Sequence, residues 1–145
     1  MDGITIRRAE ERDAEAMLAF IEEHAVIEGE TGAIPASAAG IATELAKGAA
    51  SVLVGLVAEE AGGAVVGMMM GNRMYSSWLT APYFFMDDLF VAARARRMGL
   101  GSRLLAATAQ LCRDEGYARL DWSVGAENER AAAFYSSFDA EELPW

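Results

Sequence analysis

A chain of 145 residues, 53% hydrophobic and 23% charged, has the length and apolar content for one folded domain over 1–145, which excludes a disordered chain. Twelve lysines and arginines against 22 aspartates and glutamates leave a net charge of −10, which argues against a nucleic-acid partner and suits a small cationic substrate. The single cysteine, Cys112, excludes an internal disulfide and fits a reducing cytoplasm, while no uncharged run reaches the roughly 18 residues of a membrane span and no signal-peptide segment opens the chain.

Ile4 and Ile6 alternate with Thr5 and Arg7 as in a short strand. Asp13 is placed to cap a helix whose apolar stripe is Ala14, Met17, Leu18, Ile21 and Ala25. Residues 29–39 are rich in Gly, Ala and Ser and read as a loop, followed by a weaker helix from Ser37 or Ala38 to Lys47. Residues 51–59 and 64–70 are apolar runs joined across Gly62-Gly63, which predicts a hairpin buried on both faces. Its methionines, Met68 to Met70, fit core filling better than a cofactor box.

Residues 75–82, carrying Trp78, read as a loop, and 84–91 as a further strand interrupted by Asp87 and Asp88. A helix is predicted from about Ser102 to Glu115, with Leu104, Leu105, Thr108, Leu111 and Cys112 on its apolar face and Gly116 ending it. Leu120, Trp122 and Val124 alternate as a strand, and 128–137 forms a last helix. The mixed order, closing in β-α-β-α, predicts a single α/β or α+β domain.

The segment with most chemical content is strand, Arg96-Arg97-Met98-Gly99-Leu100-Gly101-Ser102, then amphipathic helix. Amides at a helix start point outward, glycine lets a ligand approach them, and the helix dipole and arginines add positive charge. Glycines alone serve a tight turn equally well; with the arginines, four of the twelve basic residues within ten positions (Arg94, Arg96, Arg97, Arg103), an anion site is favoured. His24, the only histidine, reads as a surface residue, and no His/Cys/Asp cluster has metal-ligand spacing, so no metal is expected.

Arg96-x-x-Gly99-x-Gly101 after a strand resembles the acetyl-CoA pyrophosphate loop of the GNAT acetyltransferase superfamily. Asn128-Glu129-Arg130-Ala131-Ala132-Ala133-Phe134-Tyr135 is similar to its Asn-x-x-Ala-x-x-Phe-Tyr helix. Residues 83–91 resemble the Tyr-Leu-Glu-Asp-Phe-Phe-Val strand of the spermidine/spermine and thialysine branch, and residues 4–28 its opening strand and helix. The resemblance implies a mixed α/β domain with a central, mostly antiparallel sheet, flanked by helices, whose fourth and fifth strands splay apart.

The resemblance also implies roles. Leu89, Phe90 and Val91 would pair with the pantetheine arm of acetyl-CoA. The amides from Met98 through Gly99, Leu100 and Gly101 to Ser102 would cradle the pyrophosphate, with Arg96, Arg97 and, less directly, Arg94 alongside. Tyr135 would be the acid for the departing thiolate, and Asn128 would hold the cofactor arm, cap the helix, or both. Asp87 falls at a glutamate of the polyamine-type relatives, where a carboxylate binds an ammonium group and takes its proton through water; strict alternation turns it to the opposite face from Asp88. Glu28 is a substrate contact or an exposed charge, and Trp78 packs along an alkyl chain or anchors its loop.

The sequence departs from the family at Arg130, in place of a proline, and at Asp139, in place of a glycine closing the helix. Residues 140–145 supply part of one strand where relatives have two, so the last strand of the sheet is expected to be missing and a homodimer partner to cover the edge. The expected activity is direct acetyl transfer from acetyl-CoA to a polyamine, diamine or lysine-like amino acid, Cys112 being badly placed for a nucleophile. Protein or peptide acetylation, a non-catalytic CoA-binding module and a plain structural domain are the alternatives.

Overall fold

The computed structural model of the chain describes residues 3–125, 128–138 and 140–141. In chain order its elements are β1 (Thr5–Arg8), α1 (Ala14–Ile27), α2 (Ala38–Leu45), β2 (Leu53–Glu59), β3 (Val65–Ser76), β4 (Ala81–Val91), α3 (Leu100–Glu115), β5 (Leu120–Trp122) and α4 (Glu129–Ser136). The five strands form one mixed sheet in the order β1-β2-β3-β4-β5. Neighbours are antiparallel except β4 and β5, which run parallel across the α3 crossover.

The apolar runs of β2 and β3 are explained by two cores, one on each face of the sheet. Val54, Leu56 and Ala58 join Met69, Phe84, Met86, Leu100, Leu104 and Leu105 beneath α3, while Val57 joins Met17, Phe20, Ile41, Met68, Met70 and Phe90 beneath α1 and α2. A strand covered on both faces has no solvent side and therefore no polar alternation. The three successive methionines are core filler, each 8% exposed or less. Every apolar position expected on α3, from Leu104 to Cys112, is buried.

Several boundaries differ from the sequence reading. Residues 75–82 are not a loop: Tyr75 pairs with Pro82 and Ser76 with Ala81, so the β3–β4 hairpin turns only over 77–80. The exposed Tyr75 extends β3 through β-propensity without an alternating apolar pattern to signal it, and Pro82 argues against a strand from the sequence alone. Helix α3 starts at Leu100, because the left-handed Gly99 (φ 72°) turns the chain two residues earlier than expected.

Asp13 stands before α1 but caps nothing in it. Its carboxylate accepts two bonds from Arg7, at 2.8 and 2.9 Å, and one from the Glu10 amide at 2.7 Å. Ser37 is a true cap for α2, accepting the Gly40 amide at 3.0 Å. Asp139 and 142–145, on which the expected helix closure and final partial strand rest, lie outside the described residues.

Candidate active site

The antiparallel register of β3 and β4 slips once. Met70 pairs with Asp88 and Gly71 with Met86, which leaves Asp87 as an extra residue in β4. A bulge of this kind shifts the alternation of everything beyond it. Met86 accordingly points into the α3 core, while Phe90, of the same parity, stacks on Phe20 of α1 with ring centroids 5.2 Å apart.

The slip puts Asp87 and Asp88 on one face, that of α1, and corrects the expectation that they point to opposite faces. Asp87 accepts the side-chain amide of Asn72, which lies on the same face as Met68 and Met70. Desolvation raises the Asp87 pKa, and the Asn72 amide pulls it back. Asp88 is raised by burial first and then by the charge of Asp87, with His24 opposing.

Beyond the bulge β4 loses its other neighbour. Pairing with β5 ends at Met86 and Trp122, while β4 continues to Val91. The Phe84 amide points towards β5, donating to Arg119 O, and the Ala92 amide points towards β3, donating to Val66 O. With one extra residue between them, Leu89 and Val91 turn their peptide groups to the open side and Phe90 turns its own to β3. The edge is therefore offered by Leu89 and Val91, and Arg96 already reaches it, its Nε donating to Val91 O at 3.1 Å. Phe90 contributes its ring, with the Arg96 guanidinium 5.7 Å from the centroid.

The loop after β4 makes an amide-lined concavity. Arg97 (φ 67°) and Gly99 (φ 72°) are both left-handed, a conformation that costs an arginine side chain energy. The first bond of α3 runs from the Arg103 amide to Gly99 O, so the amides of Leu100, Gly101 and Ser102 have no helical acceptor. Successive unpaired amides at left-handed turns bind anions. A Cβ at Gly99 would stand in open space, so that glycine is required by its φ; a Cβ at Gly101 would lie 3.5 Å from the Phe134 ring, an ordinary contact, so α4 packs beside this turn without needing a glycine there. Met98 is exposed. Arg94 is engaged elsewhere, by Glu60 at 2.6 Å, and Arg103 donates to Ile4 O at 2.9 Å.

Helix α4 places Tyr135 over the end of β5, its ring 5.0 Å from that of Trp122, where the strands part. Half-buried there, the hydroxyl has no hydrogen-bond partner among the described residues, and desolvation raises its pKa, so it holds its proton at neutral pH. Asn128 caps the helix, accepting the Ala131 amide at 3.0 Å, which leaves its side-chain amide group to donate.

Glu28, at the end of α1, lies 3.6 Å from His24, and His24 in turn acts electrostatically on Asp88, so all three belong to the α1 side of the sheet. His24 is a surface residue, as expected, yet its link to Asp88 was invisible in the sequence; so was Asn72, whose one signal is a polar side chain in step with Met68 and Met70. Trp78 does not join the group. It is 92% exposed in the hairpin turn, beyond Ala81, which itself stands six residues, roughly 20 Å at about 3.3 Å per residue, along β4 from Asp87. Burial raises the Cys112 thiol to about 11, which leaves it protonated and unreactive. No group of three metal-ligating side chains occurs among the described residues, and none of the described helices is long and apolar enough to cross a membrane.

Known proteins resemble this chain in sequence and in fold. The acetyltransferase (GNAT) family model matches residues 42–139. A thialysine N-epsilon-acetyltransferase of Caenorhabditis elegans is 31% identical over 126 residues, 87% of this chain and 76% of that protein. An L-ornithine N5-acetyltransferase of Arabidopsis thaliana is 32% identical over 77 residues, 53% of this chain and 34% of that one. Among solved structures, a possible acetyltransferase from Clostridium difficile 630 superposes with a TM-score of 0.85 over 98% of this chain and 93% of its own, at 23% identity.

Proposed function

The chain belongs to the acetyltransferase (GNAT) family and is an N-acetyltransferase, and on that footing we propose that it transfers the acetyl group of acetyl-CoA directly to a primary amine of a small molecule. One observation carries the reading: the open edge of β4 at Leu89 and Val91 is flanked by the amide concavity of 98–102 at one end and the Asp87–Asp88 pair at the other.

Acetyl-CoA supplies the acetyl group as a thioester, and transfer leaves the free CoA thiol. The amides from Met98 to Ser102, with Arg96 and Arg97, hold the pyrophosphate, and the peptide groups of Leu89 and Val91 pair with the pantetheine arm as a fifth strand would. Asp87 and Asp88 attract the acceptor as an ammonium ion, and Asp87 takes its proton through water, because only the neutral amine is a nucleophile. Tyr135 delivers its hydroxyl proton to the departing thiolate. Cys112 takes no part.

The acceptor class follows from charge. The α1 side carries Asp87, Asp88 and Glu28 in a chain of net charge −10, which suits a molecule with a second cationic group. The thialysine and ornithine named for its relatives are consistent with a lysine-like amino acid. We further read 1–145 as one catalytic domain that works as a homodimer, a state that light scattering measures.

Incubation with acetyl-CoA and each of thialysine, ornithine, lysine, spermidine and a lysine-containing peptide, followed by mass spectrometry, tests the reading. A single added acetyl group on a free amine is expected. Acetylation of the peptide alone contradicts the small-amine assignment, and no product from any acceptor contradicts the whole proposal.

A further inference from the structure

At the other end of α3 lies a cavity of about 310 Å³ that acetyl transfer leaves unused. Its polar lining is Arg8, Ser51, Arg73 and Glu115, and Leu45 and Leu53 form an apolar wall. Helix α3 opens at the glycine loop and closes at Glu115, so the cavity is separated from the loop by 16 residues, roughly 24 Å at about 1.5 Å per residue.

The charges in the lining do not cancel. Arg8 is paired with Glu115. Arg73, half-buried, donates to the carbonyl of Ala49 and touches the Tyr117 hydroxyl, but has no carboxylate within ion-pair distance among the described residues, and its Nε is buried without a partner. A partly buried guanidinium without a counter-charge is costly. Carboxylates are not scarce in a chain with 22 of them against 12 basic residues, yet the one in the lining, Glu115, is paired with Arg8.

We infer that this cavity binds a small, singly charged carboxylate, which supplies the counter-charge missing at Arg73 and lays a short apolar body on Leu45 and Leu53. The guanidinium fork matches a carboxylate in geometry. The lining sums to one positive charge, and Glu115 disfavours a dianion. The volume stands at the low end of small-molecule sites, about 300 Å³. The inference does not depend on the acetyl-transfer reading.

The test titrates butyrate, acetate and inorganic phosphate into the full-length ¹⁵N-labelled chain at constant ionic strength, following the Ala49 and Ser51 amides and the Arg73 Nε–H. Butyrate is expected to give saturable shifts at these signals, acetate to bind more weakly, and phosphate not to saturate. Arg73→Gln should weaken butyrate at least tenfold, while Arg130→Gln, with the same loss of charge on α4, should leave it unchanged. If Arg73→Gln does not fold, Arg73→Lys decides: severalfold weaker binding supports the fork, and wild-type affinity overturns it. Absence of saturable shifts, a folded Arg73→Gln chain that binds as wild type, or phosphate binding tighter than butyrate would each overturn the proposal.

Discussion

Asn72 of β3 donates its side-chain amide to the Asp87 carboxylate at the place where β4 carries its extra residue. The bond and the bulge fix one another. Without the slip Asp87 and Asp88 would part to opposite faces, and without Asn72 the desolvated carboxylate would have no donor among the described residues.

The pH dependence of turnover follows. In the proposed reaction Asp87 acts as a base only when ionised, and desolvation raises its pKa, so kcat/KM should fall on the acid side at a pH above the ordinary carboxylate value of about 4. Asn72 opposes that rise. Asn72→Ala should therefore move the acid limb further up in pH, with acetyl-CoA affinity little changed. A limb that stays in place or moves down would remove the assigned coupling.

Tyr135 rests its ring on Trp122, so Tyr135→Phe keeps the packing and removes only the proton. Loss of a general acid costs about a hundredfold or more in rate. We expect kcat to drop by that order while the dissociation constant of acetyl-CoA and the melting temperature stay close to wild type. An undiminished kcat would show that the thiolate takes its proton elsewhere.

The loop prediction separates conformation from space. Gly99 is left-handed with nothing near its would-be Cβ, so Gly99→Ala meets no clash but costs about 1 kcal/mol in backbone strain. Acetyl-CoA binding should weaken in step, because the amides of 100–102 turn with that residue. Gly71→Ala is the contrast, since its Cβ would overlap the Phe84 ring and the Phe85 carbonyl. That variant should be far less stable, measured by denaturant midpoint.

Acid stability rests on a different cluster. Arg7 bridges the nearly buried Asp13 and, at 2.7 Å, Glu59. Burial alone would raise Asp13, but the bonds from Arg7 and the Glu10 amide outweigh it and the net shift is downward. A carboxylate lowered in the fold contributes stability above its unfolded pKa of about 4 and loses it as pH falls through the folded value. Unfolding free energy should therefore decline below about pH 4 in the wild type, and Asp13→Asn should flatten that decline. Arg7→Gln should cost about 3 kcal/mol at neutral pH, because it strands a buried carboxylate.

The elements that could be read from the sequence are those set by local pattern. The apolar stripe of α3, the double-sided burial of β2 and β3, the glycine turn ahead of α3 and the Asn128 cap all depend on residues close in the chain. What escaped depends on pairing across the fold. The bulge at Asp87 is a property of register between two strands, and no alternation within β4 alone reports it. Arg7 takes Asp13 away from its capping role with the help of Glu59, 52 residues distant. Trp78 was brought near the cleft only by supposing a loop, and extension of β3 and β4 to a four-residue turn carries it away.

The measurement that bears most directly on the central claim is the initial rate of CoA-thiol release from acetyl-CoA with thialysine or ornithine as acceptor, for the wild type and for Asp87→Asn. We predict amine-dependent release by the wild type, with kcat lowered by about a hundredfold in the variant and acetyl-CoA affinity retained. Release that is independent of amine, or equal in the two proteins, would contradict acetyl transfer at the β4 bulge.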